Sequence, residues 1–290
     1  EADVTVTRLS ALTFLVLTGH PSQVRDQSYI KSHADPDWRF EIFDATSGMG
    51  LLTLHGPSSR AIVAALSPDD LSTAAFPFGA AREIDVAYAR VWAIRRSFFG
   101  ELGYELLFPT EFAAGLYEAL IEEGSPHGLR HAGLFAMNHC RMEKAFRHFG
   151  HDIAEQDTPL EAGLGFAVDW DKPGRSVGHE ALEAQRGQAP ATRHRTVAIA
   201  LRDATVTGGP FLLHNEPVWL QDTIVGHVTS GAWGFRIGRS LGLATLENPD
   251  GVSRDWLDAN RFDVDVAGVR HPIDVRLRPF YDANGERMRA

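Results

Sequence analysis

Alternation of apolar and polar residues predicts strands in both halves of the chain. Near the start, period-two alternation over Asp3–Leu9 and Thr13–Thr18 predicts a hairpin, because successive side chains of a strand point to opposite faces. Four further segments of the first half are predicted to be extended, the third of them as a two-stranded hairpin: Arg39–Asp44, Leu51–His55, Ala81–Ser97 and Tyr104–Phe108.

Helical segments lie between these strands. They are predicted at Pro21–Ile30, from Gly56 to Leu66, at Thr110–Gly124 and at Ala132–Lys144. Thr110 is expected to cap the third helix. The buried face of that helix is expected to contain Phe112, Leu116 and Leu120. The repeated order of two strands and a helix predicts an α+β fold with largely antiparallel sheets and flanking helices.

A change of pattern divides the chain beyond its middle. The stretch 187–192, Gly-Gln-Ala-Pro-Ala-Thr, is typical of a linker. Short strands separated by turns are predicted after it, at Thr196–Leu201, Val225–Thr229, Leu241–Leu246, Phe262–Val266 and Ile273–Leu277. This pattern is typical of a small all-β barrel or sandwich. We therefore predict a first domain over residues 1–186 and a second over residues 193–290.

Composition narrows the class of protein. Hydrophobic residues make up 44% of the 290 residues and charged residues 23%, as in ordinary globular proteins. The formal net charge of −10 argues against a nucleic-acid partner, which normally requires a basic face. No apolar run reaches the length of a membrane-spanning helix. The single cysteine, Cys140, excludes an internal disulfide and fits a reducing compartment such as the cytoplasm.

The first residues, Glu1-Ala-Asp-Val, continue directly into a strand and are not preceded by an initiator Met. They also lack the basic and then apolar layout of a signal peptide. We therefore expect the chain to lack upstream residues or to belong to a longer polypeptide.

One carboxylate, Glu143, lies near the end of an apolar helical segment and just before a basic cluster. A buried carboxylate there can accept two hydrogen bonds from a ligand that presents two N–H donors side by side, as pterin and purine rings do. The alternative is a solvated helix-end glutamate that pairs with Arg141 or Lys144. Spacing alone leaves both interpretations open.

Other groups of residues give weaker indications of a functional site. Glycines at 48–50 and 234–238 match neither a dinucleotide-binding loop nor a P-loop. His148 and His151 suggest a zinc site, but Gly150 breaks a helical face between them and no second ligand pair follows. We predict no metal site. Cys140 falls inside a helical pattern, which favours packing over catalysis.

Several motifs in a fixed order resemble the folate-binding aminomethyltransferase family, the T-protein of the glycine cleavage system. They are Phe43-Asp-Ala-Thr-Ser-Gly48, Leu54-His-Gly-Pro-Ser-Ser-Arg60, Asp70-Leu-Ser with Ala75-Phe-Pro-Phe78, Phe99-Gly-Glu-Leu-Gly-Tyr-Glu-Leu106, Arg141-Met-Glu-Lys144, Thr158-Pro-Leu-Glu-Ala-Gly-Leu-Gly-Phe166, Val225-Gly-His-Val-Thr-Ser-Gly231, and Pro279-Phe-Tyr-Asp282 with Gly285-Glu-Arg-Met-Arg289. The resemblance covers nearly the whole chain. It is strongest to the folate-binding C-terminal part of dimethylglycine and sarcosine dehydrogenases.

The resemblance implies a tetrahydrofolate site and assigns roles to individual residues. Asp3 matches the family's acid that faces the folate nitrogens, and Glu143 matches the glutamate that holds the pterin. Lys172 falls near the position of a basic residue that meets the folate's glutamate tail; the alternative is a solvated lysine. Phe98 and Phe146 stand at site positions where relatives often have Tyr, so two ring hydroxyls are replaced.

The resemblance also implies a reaction. An N-methyl amine such as dimethylglycine or sarcosine is oxidised elsewhere to an iminium, and tetrahydrofolate then captures the one-carbon unit as 5,10-methylenetetrahydrofolate. Because the chain carries no flavin fingerprint, FAD is expected only in a missing or separate flavoprotein domain or subunit. A demethylase that yields 5-methyltetrahydrofolate is a close variant. The competing interpretations are a non-catalytic folate-binding or structural domain of such a flavoprotein, and a metal hydrolase built on His148 and His151.

Overall fold

The computed structural model describes residues 2–172, 176–203 and 209–290. Two compact units divide the chain. The first contains Ala2–Ala132 together with Gly285–Ala290, and the second contains Gly133–Asn284. The predicted domain boundaries at 186 and 193 are boundaries of sequence pattern and stay predictions.

The first unit is built on antiparallel sheets. A hairpin of β1 (Thr5–Arg8) and β2 (Phe14–Leu17) pairs Val6 with Val16. A four-stranded sheet has the order β3-β6-β5-β4, formed by β3 (Met49–His55), β4 (Ala81–Val86), β5 (Ala89–Ile94) and β6 (Gly103–Pro109). The predicted hairpin over residues 81–97 is therefore confirmed, with its turn at residues 87–88.

Between residues 2 and 132 this unit has three α-helices: α1 (Gln23–His33), α2 (Ser59–Ala65) and α3 (Ala113–Gly124). Leu116 and Leu120 of α3 are buried in one hydrophobic cluster with Ile62 of α2 and Leu106 of β6. Fully burying such an aliphatic side chain contributes roughly 1.5–3 kcal/mol relative to leaving it exposed, so this cluster is the main source of the unit's stability.

Two predictions for this unit are wrong. Arg39–Asp44 is irregular instead of extended. Its end forms a local turn in which Asp44 Oδ1 accepts from the amide of Thr46 at 3.0 Å, and such side-chain bonds compete with strand pairing. Thr110 starts a short 3₁₀ turn instead of capping α3, so Phe112 falls before the helix and is 37% exposed.

The second unit contains a closed six-stranded antiparallel barrel of order β10-β7-β12-β11-β8-β9. Its strands are β7 (His194–Leu201), β8 (Pro217–Leu220), β9 (Thr223–Gly234), β10 (Arg239–Glu247), β11 (Phe262–Val266) and β12 (Val269–Arg276). The fold class is thereby confirmed, and the barrel replaces the sandwich alternative. Closure leaves no unpaired strand edge in this sheet.

Three helices accompany the barrel: α4 (Leu134–Glu143), α5 (His179–Arg186) and α6 (Arg254–Ala259). A fourth short helix, α7 (Glu286–Arg289), belongs to the first unit. There Arg95, fully buried, donates to the carbonyls of Phe76, Met288 and Ala290 at 2.8–2.9 Å. Within the ranges given above, no helix is long and apolar enough to cross a membrane.

Candidate functional site

Glu143 is the last residue of α4 and is 7% exposed. Its Oε1 accepts a hydrogen bond of 2.6 Å from the amide of Arg236, in the turn between β9 and β10. The end of α4 is fixed there by apolar packing, since Met142 and Ala145 pack against Leu241 and Leu243 of β10. The predicted buried carboxylate is therefore present, and a main-chain donor orients it.

An aromatic face leads to this carboxylate. Phe135, His139 and Glu143 follow each other at intervals of four along α4, so they lie on one side of the helix. The ring of Phe235 lies 5.4 Å from that of His139, and Phe135 and Phe235 are 86% and 73% exposed. The ring of Phe211 lies 6.4 Å from that of His139. Phe135 lies two helical turns, about 12 Å along the helix, from Glu143. His139 lies one turn away, and Phe235 precedes the residue whose amide binds Glu143. Flat side chains near a buried carboxylate suit a planar ligand with an N–H edge.

Arg141 occupies the centre of a buried polar network. Its Nη1 donates to Asp152 Oδ2 at 2.7 Å, and both side chains are almost fully buried. Its Nη2 donates to Ser230 Oγ at 2.9 Å and its Nε to Asn138 Oδ1 at 2.7 Å. Thr229 Oγ1 donates to Asp152 Oδ1 at 2.7 Å. The network ties the end of α4 to strand β9.

Burial by itself would raise the pKa of Asp152. Arg141 and the hydrogen bonds from Ser230, Thr229 and the amide of His148 outweigh burial and lower the pKa of this carboxyl below its ordinary value. Asp152 is therefore ionised at neutral pH. A buried ion pair that is hydrogen-bonded to Ser230 and Thr229 is a rigid support for the adjacent Glu143.

Lys144 forms a second buried ion pair. Its Nζ lies 2.5 Å from both Asp282 Oδ2 and the Asp282 carbonyl oxygen, and the two side chains are 3% and 9% exposed. The ring of Tyr281 lies 5.8 Å from the same Nζ. Arg141 and Lys144, the partners considered for Glu143, thus direct their charges to Asp152 and Asp282.

The histidines considered for zinc lie on the surface near this network. The rings of His148 and His151 are 5.9 Å apart, and His214 stacks on His151 at 4.8 Å. Burial lowers the pKa of His151, with His214 and Arg141 acting in the same direction against Asp152. Over the described ranges, no group of three or more His, Cys, Asp or Glu side chains has the arrangement of a metal site.

Asp3 belongs to the first unit and is exposed. The next residues, Val4–Arg8, form one side of a groove of about 510 Å³, and Ala81, Ile94 and Arg96 lie on the other side. Asp3 and Glu143 thus fall in different units, and their pairing in one site stays a prediction.

Phe98 lies half-buried in the loop that joins β5 to β6. Beside it, Phe99 stacks on His55 at 4.5 Å, and Arg96 pairs with the buried Glu105 at 2.7 Å. Burial, and secondarily Arg96, lowers the pKa of His55 to about 4. The aromatic rings of the loop therefore lie beside a neutral imidazole at neutral pH, that of His55 at the end of β3.

Phe146 and Lys172 belong to the second unit. Phe146 is half-buried just beyond α4, and its carbonyl accepts from Arg141 Nη1 at 2.8 Å. Lys172 is 62% exposed and pairs with Asp169 at 3.1 Å. Phe146 is thus part of the rigid end of α4, whereas Lys172 has a solvated charge.

Sequence reasoning missed the donor to Glu143, the amide of Arg236. It also missed the partners of the flanking cations: Asp152 and Ser230 for Arg141, and Asp282 for Lys144. Asp152, Ser230 and Asp282 lie in or beside motifs that carry the family resemblance, which is a usable signal. Arg236 could not be found in this way, because its contribution is a main-chain amide available at any residue except proline.

Comparisons with known proteins identify the family. Residues 1–172 match the GCVT N-terminal domain, and residues 194–282 match the glycine cleavage T-protein C-terminal barrel domain. An aminomethyltransferase of Anoxybacillus flavithermus is 30% identical over 268 residues, which cover 92% of this chain and 70% of that protein.

Longer relatives also match. A 4-methylaminobutanoate oxidase (formaldehyde-forming) of Paenarthrobacter nicotinovorans is 39% identical over 289 residues, covering 100% of this chain and 34% of that protein. Mitochondrial dimethylglycine dehydrogenase of Homo sapiens is 34% identical over 279 residues, covering 96% of this chain and 31% of that protein. The chain thus spans about a third of the length of these relatives.

A solved structure shares the fold. The glycine cleavage system aminomethyltransferase T from Bartonella henselae superposes with a TM-score of 0.76 at 19% identity, over 97% of this chain and 72% of that one.

Proposed function

This chain belongs to the glycine cleavage T-protein family of aminomethyltransferases, and from that premise we propose that it transfers a one-carbon unit from an N-methyl amine to tetrahydrofolate. The observation that carries the proposal is the buried Glu143 carboxylate, held by the Arg236 amide at the end of an aromatic face. The product is 5,10-methylenetetrahydrofolate.

The chemistry of Glu143 supports a pterin ligand. A carboxylate has about four lone-pair sites, so it can accept ligand N–H groups in addition to the Arg236 amide. The edge of a pterin offers two such donors side by side, and His139 and Phe235, whose rings lie 5.4 Å apart, offer surfaces for its planar ring. Fixing the ring in this way makes the capture of the one-carbon unit effectively unimolecular.

Asp3 is proposed as the catalytic acid–base residue. As a folate nitrogen attacks the methylene carbon of an iminium, a C–N bond forms and the π electrons of the C=N bond return to the amine nitrogen. The amine, protonated, then leaves with the electrons of its remaining bond to that carbon. Closure at the second folate nitrogen completes the product. One of the two folate N–H protons leaves with the amine, and Asp3 accepts the other. General-base assistance of this kind contributes on the order of 10²–10⁴-fold.

The amine is proposed to be a small N-methyl amine of the dimethylglycine or sarcosine type. The longer relatives are named as enzymes of dimethylglycine, sarcosine or 4-methylaminobutanoate, and this supports the class. Oxidation to the iminium is assigned to a flavin-containing domain or subunit outside this chain, which takes up the hydride. The single cysteine supports a reducing compartment, and we propose the cytoplasm.

The remaining residues have supporting roles in this proposal. Phe98 and Phe146 contribute ring surface at positions where relatives often carry Tyr, and Lys172 attracts the carboxylates of the folate's glutamate tail. Lys172 is 62% exposed, so its effect is expected to be small and sensitive to salt.

Calorimetry with tetrahydrofolate tests the ligand. We expect the wild-type chain to bind and Glu143→Gln to bind at least about tenfold more weakly, because the amide replaces one acceptor by a donor. Glu180→Gln, at an exposed position on α5, is the control and should keep wild-type affinity. Equal affinity of the Glu143 variant would remove Glu143 from the site.

Transfer assays test Asp3. In the presence of the amine-oxidising flavoprotein, Asp3→Asn should lower the formation of methylenetetrahydrofolate at least about 100-fold while folate affinity changes little. Wild-type turnover in this variant would exclude Asp3 from the mechanism.

A second candidate function is a non-catalytic folate-binding or structural domain of a flavoprotein amine dehydrogenase. The formaldehyde-forming activity in the name of one relative supports it, since the one-carbon unit of that protein leaves as formaldehyde. Folate binding without any gain in methylenetetrahydrofolate, or no folate binding at all, would favour this candidate.

A further inference from the structure

We propose that the Lys144–Asp282 ion pair and the ring of Tyr281 position the Glu143 carboxylate, so that the segment 281–282 controls ligand affinity at a site it does not belong to. The identity of the ligand in this inference rests on the proposed function. The positioning of the Glu143 carboxylate by Lys144, Asp282 and Tyr281 is independent of that function. Lys144 and Asp282 are positioning residues that act through Glu143.

The pair is placed to fix the end of α4. Lys144 follows Glu143 directly, and its amide bonds to the carbonyls of Arg141 and Met142. The chain then reverses at Ala145, where φ is +51°. Because the backbone on both sides of Lys144 is fixed, anchoring its Nζ to two oxygens of Asp282 also fixes the last turn that carries Glu143.

Tyr281 connects the two sides of the carboxylate. Its ring lies 5.8 Å from Lys144 Nζ and 5.4 Å from the guanidinium carbon of Arg236. The amide of Arg236 is the donor to Glu143 Oε1. One ring therefore contacts the residue that follows Glu143 and the residue that donates to it, through cation–π geometry in both cases.

Stability alone is a poor explanation for this pair. A buried ion pair loses hydration on both charges, and replacing it by apolar side chains of similar volume is often neutral or stabilising. A buried pair that joins positions 144 and 282 is better explained by the geometry it imposes on Glu143, the residue directly before Lys144.

The test separates position from stability. The single variant Lys144→Met leaves Asp282 buried without its partner and is expected to lower the melting temperature. The double variant Lys144→Met/Asp282→Leu removes both charges and is expected to recover a melting temperature near that of the wild type. Arg254→Met, which removes an exposed pair with Asp258 on α6, is the matched control.

Two readouts apply to the folded double variant. Amide hydrogen exchange in the ligand-free protein reports on the hydrogen bond from the Arg236 amide to Glu143. The protection factor of that amide should fall at least about tenfold. The dissociation constant for tetrahydrofolate should rise at least about tenfold. The Arg254 control should change neither quantity.

The outcomes distinguish the two proposals. If the double variant keeps wild-type protection at Arg236 and wild-type folate affinity, the positioning role is overturned. If the wild-type chain binds no tetrahydrofolate, the proposed function fails, while exchange at Arg236 still decides whether Lys144 and Asp282 position Glu143.

Discussion

At the scale of single residues, each charge around Glu143 has a defined partner. Arg141 is bound by Asp152 and Lys144 by Asp282, both with almost no exposure to solvent. Buried charges are tolerated when they are paired and hydrogen-bonded. The last turn of α4 therefore resists rearrangement, which is what a ligand-orienting carboxylate needs.

Arg141 offers a direct test of this network. We expect Arg141→Leu to lower the free energy of unfolding by about 3–5 kcal/mol, because Asp152 would keep a buried charge without its main partner. Asn138→Ala removes only the hydrogen bond to Arg141 Nε, so it should cost about 1 kcal/mol. Urea unfolding at neutral pH measures both values, and similar losses would contradict a central role of the ion pair.

His55 predicts a pH dependence. Its pKa in the folded chain is about 4, below the ordinary value of 6.5, so the unfolded chain binds the proton more tightly. The stability associated with the neutral ring is complete above the unfolded pKa and is lost as pH falls toward the folded pKa. When the pH falls from about 7.5 to about 5, protonation linked to His55 should lower the free energy of unfolding by about 2 kcal/mol.

The variant His55→Phe keeps a ring that can stack on Phe99 and lacks the titrating group. When the pH is lowered from about 7.5 to about 5, the free energy of unfolding of the His55→Phe variant should decrease by about 2 kcal/mol less than that of the wild type. Parallel pH profiles of the two proteins would show that burial of His55 is energetically unimportant.

The sequence located Glu143 but not its neighbours, and the reason is separation along the chain. Apolar periodicity indicates which residues of α4 are buried, because that information is local. The amide at Arg236 and the carboxylate of Asp282 lie 93 and 138 positions from the residues they bind. Such contacts depend on the barrel's strand order, which periodicity does not give.

At the scale of elements, the alternation of apolar and polar residues predicted the strands that have one buried and one more exposed face. Strand β11 was predicted with the observed bounds, and one side of it faces the barrel core. Arg39–Asp44 alternates equally well but forms turns through Asp44, so local hydrogen bonds decided its structure. Strand β8 (Pro217–Leu220) was missed because its sequence, Pro-Val-Trp-Leu, is apolar throughout and shows no alternation.

Close backbone packing in the barrel predicts sensitivity at Gly231. A Cβ at this position would lie 1.8 Å from the carbonyl oxygen of Leu212, and neither backbone can move freely. We expect Gly231→Ala to lower the free energy of unfolding by at least about 2 kcal/mol.

Gly115→Ala is the control for that substitution. Gly115 lies inside α3 with open space around it, so the same change should stabilise the protein by about 1 kcal/mol. Denaturant unfolding of both variants measures the difference, and equal effects would argue against the contact with Leu212.

At the scale of the whole molecule, two compact units each contain part of the proposed machinery. The resemblance predicted the fold of both, and periodicity predicted the change of architecture from α+β to barrel. Neither the resemblance nor the periodicity predicted that residues 285–290 belong to the first unit, where Arg95 donates to the carbonyls of Met288 and Ala290. That assignment depends on contacts of the buried Arg95, and no pattern of neighbouring residues in the sequence indicates such contacts.

Ligand linkage gives a prediction for the intact chain. Tetrahydrofolate at 100 times its dissociation constant should add about 2.7 kcal/mol to the free energy of unfolding, because it binds only the folded protein. The melting temperature should rise accordingly in the wild type and by less in Glu143→Gln at the same concentration. An equal rise in both proteins would place the ligand away from Glu143.

The donor to Glu143 is a main-chain amide, and this affects how the site can change during evolution. A side-chain donor is lost by almost any replacement, whereas an amide at position 236 is supplied by every residue except proline. Mutational drift in the turn after β9 therefore leaves that hydrogen bond intact. Replacements at position 236 would lose the contact of the guanidinium with Tyr281 but would keep the amide donor. Charge and bulk near the carboxylate can therefore change there, and selectivity among amines or folates can diversify, without loss of this hydrogen bond.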